Sequence, residues 1–557
     1  MTRRFSCTFT AWMVLLLAMR AFAADAVSTM PAGEYLTAVR AFADNAVKFG
    51  RDVYGPKHTP LFVDGLNVDT HEPAVWVLPS KPVADWKMPP RWIMSDLASQ
   101  QNFFRTLAAI TLMTGEPKYK QAAVEATRYA FANLRHPCGL LYWGGHTAWD
   151  LDTDQPVGEG RTDGVAGKHE FKRHYPYYEL MWEIDPKVTR EFIESFWSNH
   201  VLDWSNLDFN RHGKYNPVPP SPWDHTYVGG PIPFIGKGLT FIHSASDLCY
   251  AAAMLSVLSG DPKPMVWAKR LAQRYHDACD PKTGLGADNF SEEQTRRFVK
   301  QCGPEFGERL TEATFTSVYG CRYRFVSVCQ FKLAERLGPA GREFGQFGLA
   351  DMTAYAKYAY DPSDNKFWAT LIDGTKLKPS DRKRDGYLLP RWFDKRVPDA
   401  NIFWAYVLAY KLSGDRLMWD MVRNLARGFE LGDFGSQPGT PGRPNMQTPA
   451  ADPLLVFALL DLQAATKDRA FLDLARRVGD NLIEEQFHKG FFVSGKDHLF
   501  CKFDTVAPLA LLYLEAALTD SKVQLPAYCG GQSYFHCSFE GQGRTYDTNA
   551  IYGHLEQ

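Results

Sequence analysis

Apolar residues recur at three- and four-residue spacing along much of the chain, which predicts amphipathic helices rather than strands. The run at 97–114 reads LASQQNFFRTLAAITLMT, and a second amphipathic run extends from Tyr119 to Leu134. Gly115-Glu116-Pro117 separates the two runs. A glycine after a helix end supplies a left-handed cap. This stretch, 98–134, therefore predicts two antiparallel helices joined by a short turn.

The same helix–turn–helix pattern returns three times. Short turns that contain Ser259-Gly260, Ser413-Gly414 and Thr466-Lys467 each join two such runs. The resulting hairpins are predicted at 246–279, 401–430 and 453–486. Ser, Thr or Asp in these turns is suited to start the following helix. Four copies of one unit in one chain are an internal repeat.

Long segments rich in Gly and Pro separate the hairpins, at 135–170, 205–240, 280–315 and 431–452. A simple helical bundle rarely needs such connections, and long loops in a compact domain usually carry function. The pattern therefore predicts a mainly α fold, an α/α barrel of antiparallel helix hairpins with its site on loops at one end. A strand-like patch at 486–503 is predicted to be minor.

The chain has 557 residues, of which 45% are hydrophobic. Length alone suggests two or three domains. A helical barrel is an exception because each added helix pair extends one core, and no low-complexity segment or interdomain linker interrupts the chain. We therefore predict one catalytic domain over 24–557, with a loop-rich C-terminal tail from about residue 525.

The N-terminus has the features of a secretory signal. Arg3 and Arg4 precede an apolar segment at 11–19, and Ala21-Phe22-Ala23 supplies the small residues of a cleavage site. The apolar segment is too short to span a bilayer. We predict a signal peptide over 1–23, export to the periplasm or beyond, and a mature chain with no membrane segment. An uncleaved anchor is the alternative.

Charge and cysteine usage exclude several classes of function. The 62 basic and 63 acidic residues nearly balance, which argues against nucleic-acid and anionic-membrane partners. The 10 cysteines form no CxxC pair, so zinc-ribbon and redox motifs are unsupported. Cys529 and Cys537 are the first pair to test for a disulfide. Aromatic residues make up 14% of the chain, and flat rings suit sugar faces as well as ordinary cores.

Nucleotide, flavin and common serine-hydrolase motifs are absent, as is HExxH. Polar clusters instead lie in the long loops, at 143–146 (WGGH), 169–174 (HEFKRH) and 210–213 (NRHG). Two imidazoles and one carboxylate from separate loops could hold one divalent cation of the Mn, Fe, Co or Zn type and leave positions open for substrate. Isolated loop histidines are also common as hydrogen-bonded structural groups.

Several stretches resemble polysaccharide lyase family 2, the pectate lyases with an (α/α)7 barrel. They are TPLFVDGLNVDT at 59–70, LLYWGGHTAWDL at 140–151, HEFKRHYPYYELMWEIDP at 169–186, LDFNRHGKY at 207–215 and GLTFIHSASDLCYAAA at 238–253. The similarity extends over most of the mature chain. The tail from about 525 has no counterpart that we can place.

The resemblance implies cleavage of α-1,4-linked polygalacturonate or oligogalacturonides by β-elimination, which leaves 4,5-unsaturated products. It implies one transition-metal ion, for which we expect manganese, and an arginine base next to one ligand. Transferred to this chain, the ligands are His146, Glu170 and His212, and the base is Arg211. Arg173-His174 is the alternative base–ligand pair. No substrate-binding residue is assigned, although Lys172 and Arg173 could bind further uronate carboxylates.

Two other readings remain open. A helical-barrel glycoside hydrolase acting on an acidic polysaccharide would need two carboxylates and a water. The candidate acids are Asp64, Asp69, Asp224 and Asp247. A non-catalytic oligosaccharide-binding protein would instead use stacking platforms, for which the candidates are Trp143, Trp204 and Trp223.

Overall fold

The structure is a computed structural model that describes residues 33–77, 91–158, 168–231, 236–291, 321–378, 393–440, 442–495 and 499–532. The predicted signal segment 1–23 lies outside the described residues, and so does Cys537. Both the cleavage site and the Cys529–Cys537 disulfide therefore stay predictions.

The helices form two concentric rings and alternate between them along the chain. The inner ring contains α2 (Gln101–Thr114), α4 (Tyr178–Ile184), α6 (Ile242–Ser259), α8 (Ser327–Leu337), α10 (Ala400–Ser413), α12 (Pro453–Thr466) and α14 (Ala507–Leu518). The outer ring contains α1 (Glu34–Phe49), α3 (Pro117–Asn133), α5 (Pro186–His200), α7 (Lys263–Asp277), α9 (Arg342–Tyr358), α11 (Arg416–Gly428) and α13 (Arg469–Gln486). Helix α14 packs against α12 and against α2, and α1 packs on α14, so the ring closes. The described residues thus form an (α/α)7 barrel, which confirms the predicted fold class.

Sequence composition explains which helices are inside. In α10, ANIFWAYVLAYKLS, apolar residues surround the whole helix, and every residue from Ala400 to Ala409 is buried. In α11, RLMWDMVRNLARG, charged residues occupy one side and only the other side is buried. A helix that is apolar all round needs neighbours on every side, whereas an amphipathic helix can cover them from the outside.

The two ends of the barrel differ. Inner helices lead into outer helices through short turns, and Gly115, Gly260 and Gly414 close three inner helices with φ of 74°, 75° and 65°. Asp415 and Asp468 cap the following outer helices by accepting backbone N–H groups. The four predicted hairpins are therefore confirmed. Long connections run from each outer helix to the next inner one, and each of them starts and ends at the opposite end of the barrel.

Short antiparallel strands occur only within these long connections, among the described residues. One four-stranded sheet has the order β2-β3-β4-β5, from Val75–Val77, Arg91–Ser95, Thr147–Asp150 and Gln155–Gly158. The other strands form pairs: β1 (Gly65–Asn67) with β14 (Phe500–Lys502), β6 (Val201–Asp203) with β7 (Asp208–Phe209), β8 (Tyr360–Asp361) with β9 (Lys366–Phe367), β10 (Gly432–Asp433) with β11 (Arg443–Pro444), and β12 (Phe487–His488) with β13 (Phe491–Phe492). The strand patch at 486–503 is minor, as predicted.

The described part of the C-terminal tail has no helix or strand after α14, but it belongs to the core. The Tyr528 ring stacks on Trp404 and Phe457, with centroids 5.7 and 4.9 Å apart. Asn102 Nδ2 donates to the Gly531 carbonyl at 3.1 Å. The tail up to residue 532 is therefore an internal segment of the barrel. No helix of the described residues is long and apolar enough to cross a bilayer.

Candidate metal and catalytic site

Three loop segments meet at the long-loop end of the barrel. His146 directly precedes β4, and Glu170 lies further along the same connection between α3 and α4. Arg211 and His212 follow β7, in the next connection. His169 and Gly213 exchange backbone hydrogen bonds of 3.1 and 2.8 Å, and Gly145 N donates to the Glu170 carbonyl at 2.9 Å. These backbone contacts hold the three segments side by side.

Close backbone approach explains two of the glycines. Gly144 has φ of 114°, and a Cβ there would lie 2.5 Å from the Glu170 carbonyl oxygen. A Cβ at Gly213 would lie 2.4 Å from Nε2 of His200. A side chain at either position would push the segments apart. Gly144 thus allows the loop of His146 to approach the loop of Glu170, and Gly213 leaves room for the His200 ring.

The three predicted ligands come together. His146 Nε2 lies 2.9 Å from Glu170 Oε2 and 3.1 Å from His212 Nε2. His212 Nε2 lies 3.5 Å from Glu170 Oε1. One donor atom from each of these residues lies within 4.8 Å of the others. Two imidazole nitrogens and one carboxylate from rigidly held loops fit a divalent transition cation that keeps open positions.

The electrostatic environment keeps two of the donors, His212 and Glu170, in the ligating forms. Burial lowers the pKa of His212 to about 3, with a further contribution from the Arg211 charge, so the imidazole is neutral. Glu170 is fully buried. Burial alone would raise the pKa of Glu170, but Lys172, His146 and Arg211 outweigh it and hold that pKa well below its usual range. Neutral imidazole and ionised carboxylate are the forms that bind metal.

Two cations flank this carboxylate. Arg211 Nη1 lies 3.2 Å and Lys172 Nζ 2.9 Å from Glu170 Oε1. Arg211 is only 7% exposed, and its guanidinium lies over the Phe241 ring at 4.6 Å. Burial, followed by the charge of Arg211, lowers the pKa of Lys172 to about 8. Lys172 is thus an ion-pair partner of the predicted ligand Glu170. The sequence did not indicate this contact.

The second Arg-His pair faces elsewhere. His174 stacks on the Phe171 ring with centroids 4.8 Å apart, and its Nδ1 accepts from Lys172 N at 2.9 Å. The Arg173 guanidinium lies over Phe325 at 4.0 Å. Asp247 accepts the backbone N–H groups of residues 173–175. The charge of Glu170 still acts on His174.

Supporting residues hold the ligand loops, and sequence reasoning missed most of them. Asp96 is fully buried, and its Oδ1 accepts from Gly144 N at 2.9 Å. Asp64 Oδ1 accepts in turn from Asp96 N at 2.9 Å. His169 Nδ1 lies 3.0 Å from His200 Nε2, and His200 Nδ1 lies 2.8 Å from the Asn210 carbonyl. No local motif indicates these contacts, because each joins segments far apart in sequence.

The residues proposed for the alternative functions lie in other surroundings. Asp69 and Asp224 are exposed partners of Lys489 and Lys263, while Asp64 and Asp247 are buried acceptors of backbone N–H groups. Of the tryptophans, Trp143 and Trp223 are buried, and Trp204 is packed against Trp197, Trp223 and Trp267. Each of these acids is therefore engaged by a lysine or by backbone N–H groups, and each of these rings is buried or packed against other rings.

Comparisons with known proteins show which family the chain is similar to. A family model described as periplasmic pectate lyase matches residues 59–538, which includes the first part of the tail that the resemblance left unplaced. The pectate disaccharide-lyase of Dickeya dadantii is 29% identical over 556 residues, covering 93% of this chain and 96% of that protein. Among solved structures, an alpha-1,2-mannosidase from Trichoderma reesei matches with a TM-score of 0.49 at 9% identity, covering 93% of this chain and 98% of that one. A GH76 alpha-mannanase from Bacteroides thetaiotaomicron has a TM-score of 0.40 at 10% identity, with 88% and 96% covered.

Proposed function

The chain belongs to the periplasmic pectate lyase family, and on that premise we propose that this polysaccharide lyase cleaves α-1,4-linked polygalacturonate by β-elimination. The product is a 4,5-unsaturated galacturonide. The observation that carries the proposal is the convergence of His146, Glu170 and His212 within 4.8 Å, with Arg211 against the same carboxylate. Export to the periplasm, as the family description and the N-terminal segment suggest, would bring the enzyme to oligogalacturonides that enter from outside.

His146, Glu170 and His212 would hold one divalent transition-metal ion, and manganese is the ion we expect. The ion, when bound, supplies positive charge that stabilises the negative charge developing on the C6 carboxylate of the substrate. The chain's own contribution is preorganisation. Backbone hydrogen bonds and the Asp96 contact with Gly144 fix the donors before substrate arrives, so little reorganisation is needed during the reaction.

Arg211 acts as the base. Its guanidine takes the proton from C5, the C5–H electrons form the C4=C5 bond, and the C4–O bond breaks so that the oxygen leaves with its electron pair. No water is consumed. Free arginine is protonated at neutral pH. Burial and the positive charge of Lys172 favour the neutral form of a guanidine, whereas the Glu170 carboxylate that Arg211 shares with Lys172 favours the charged form. A base that is mostly protonated at neutral pH becomes available as the pH rises. We therefore expect activity to increase toward alkaline pH.

Lys172 is the second candidate for the base. Its Nζ lies 2.9 Å from the same oxygen, and its pKa of about 8 allows a neutral amine near neutral pH. We favour Arg211 because it directly precedes the proposed ligand His212 in the chain. The position of His212 beside Glu170 therefore also fixes the backbone of Arg211 there. Substitutions at the two positions separate the candidates.

The test is incubation with polygalacturonate, with and without a chelator, followed by ultraviolet absorbance of the unsaturated product and by oligomer size. A hydrolase would shorten the polymer without this absorbance, and a binding protein would not shorten it. His146→Ala should lose bound metal and activity together, because two ligands are too few. His225→Ala is the matched control, since His225 is exposed and stacks on Trp204. A His146→Ala protein that keeps its metal and its rate would show that the ligand set is wrong.

A further inference from the structure

Three arginines gather near the metal site at the long-loop end of the barrel. Arg173 lies three positions after Glu170 and before α4. Arg324 lies in the π-helical turn Arg322–Val326 that directly precedes α8, and Arg396 lies before α10. The N-terminal ends of inner helices all point to this end. The arginines therefore occupy the same barrel mouth as the metal ligands.

Contacts place two of the guanidinium groups on one ring. The Arg173 guanidinium lies 4.0 Å and the Arg324 guanidinium 4.7 Å from the centre of the Phe325 ring, which is buried. Arg396 is fixed by backbone hydrogen bonds of 2.7 and 2.9 Å with Phe367. The Phe367 ring stacks on Tyr355 with centroids 4.5 Å apart. Arg173 and Arg324 thus share one aromatic ring, and the backbone of Arg396 is held beside a second aromatic stack.

The cluster contains more arginines than carboxylates that form ion pairs with them. Asp399 pairs with Arg324, but within the described part of the chain no carboxylate forms an ion pair with Arg173 or Arg396. The nearby Asp247 accepts backbone N–H groups with both of its oxygens. Burial, and then the charges of Arg396 and Arg173, lower the pKa of Arg324 to about 10, although the Cys321 thiol acts in the opposite direction. Like charges held together in a half-buried place favour the binding of an anion.

The chemistry of guanidinium defines that anion. Its planar fork forms paired hydrogen bonds with a carboxylate. A polyuronate presents one carboxylate on every sugar, so a chain that places one carboxylate at the metal site brings others close by. We propose that Arg173, Arg324 and Arg396 form a subsite for the carboxylate of a uronate neighbouring the one that is cleaved. This subsite rests on the proposed function for the placement of the substrate.

The first measurement is steady-state cleavage of trigalacturonate by the metal-loaded enzyme carrying Arg173→Gln or Arg396→Gln. Loss of a charged hydrogen-bond donor should raise KM by about tenfold, while kcat changes by less than about threefold, because neither residue touches the reacting atoms. Arg416→Gln on α11 is the matched control, since Arg416 is exposed and pairs only with Asp420 among the described residues. Unchanged KM in both cluster variants would overturn the subsite.

The second measurement does not depend on cleavage. Trigalacturonate and neutral galactotriose are titrated calorimetrically into metal-loaded Arg211→Lys protein, with and without Arg396→Gln. If the subsite exists, Arg396→Gln should weaken the binding of trigalacturonate about tenfold and leave the binding of galactotriose unchanged. Equal weakening for the neutral sugar, or none for either, contradicts it. If the wild-type protein binds trigalacturonate through Arg396 but produces no unsaturated sugar, the proposed lyase reaction fails and the subsite stands. If the protein is a lyase whose affinity for trigalacturonate is the same after substitution of Arg396 or Arg173, only the subsite fails.

A third measurement separates a binding role from a structural one. Removing one of several like charges should leave the melting temperature of the ligand-free Arg396→Gln protein unchanged or slightly raised. A lowered melting temperature with unchanged affinity for trigalacturonate would mean that Arg396 stabilises the fold, and it would refute the proposal.

Discussion

Arg211-His212 and Arg173-His174 are the same dipeptide in two neighbouring loop connections, yet their side chains have different partners. His212 faces His146 and Glu170, and Arg211 lies 3.2 Å from the Glu170 carboxylate. His174 instead stacks on Phe171, and Arg173 lies over Phe325. Identical residue types therefore lie at the candidate metal site in one case and at the proposed arginine cluster in the other.

Backbone contacts produce this difference. The pairing of Gly213 with His169 places His212 beside Glu170. In the other loop, Arg173 adopts φ of 61° and Tyr175 φ of 44°, and the Asp247 carboxylate collects three successive N–H groups there. In this tight loop the Arg173 guanidinium contacts the Phe325 ring and the His174 ring contacts Phe171. A dipeptide motif thus specifies donor atoms, while distant residues decide where those atoms point.

The largest difference is expected from the same substitution in both arginines. Arg211→Lys should lower kcat by on the order of a hundredfold or more, in the upper range of what a positioned base contributes. Bound metal should stay the same. Lysine retains the charge but changes both the reach and the basicity. If Arg211 only pairs with substrate, KM would rise and kcat would be largely retained.

Lys172→Gln is the companion variant to Arg211→Lys. It should lower kcat much less than Arg211→Lys does, provided its metal content is unchanged. A severe kcat defect in Lys172→Gln beside a nearly normal Arg211→Lys enzyme would move the base to Lys172. A severe defect at Arg173 instead would move it to the earlier Arg-His pair.

Replacing each histidine by asparagine should separate metal binding from packing. Asparagine can imitate Nδ1, with which His174 accepts from Lys172 N, but it cannot supply the Nε2 with which His212 faces Glu170. His212→Asn should therefore weaken metal binding by tenfold or more. His174→Asn should keep the metal and lower the free energy of unfolding by about 1–2 kcal/mol, through the lost ring contact. Metal titration and thermal unfolding of the chelated protein measure the two effects, and equal metal loss in both variants would remove the distinction.

Asp247→Asn tests what holds the second loop. An amide retains one acceptor oxygen but presents an N–H₂ group to backbone donors, so at least one of the three buried N–H groups loses its partner. We expect a loss of about 1–3 kcal/mol in the free energy of unfolding. KM should rise as Arg173 moves, while metal affinity stays within about threefold, since changes of tenfold or more are typical only of residues that orient ligands. Denaturant unfolding measures the loss of stability, and metal titration measures the affinity. A loss of metal affinity equal to that of His212→Asn would show that the loop held by Asp247 and the loop of His212 depend on each other.

Arg173→Lys should have the smallest effect. The cation is retained and only the planar fork is lost, so KM should rise by a few fold and kcat should not change. Steady-state kinetics beside Arg173→Gln provides the measurement. A lysine variant as defective as the glutamine variant would mean that the fork, and not the charge, binds the substrate.

Most of the architecture could be predicted from the sequence because it depends on local patterns. Apolar spacing predicted the hairpins, and glycine and aspartate at the turns marked their ends. The contrast between α10 and α11 is visible in their residues, since one is apolar all round and the other on one side. The long Gly-rich connections also marked the end of the barrel where the candidate ligands lie.

Other features depend on contacts between segments that are distant in sequence, and only the tertiary structure decided them. Asp96 holds Gly144 across 48 positions, and Asp247 holds the loop of His174 across 73. The chain alone offered two Arg-His pairs with the same chemistry. Side-chain type is a local property that sequence states directly, whereas the direction of a loop side chain follows from the backbone partners that folding brings to it.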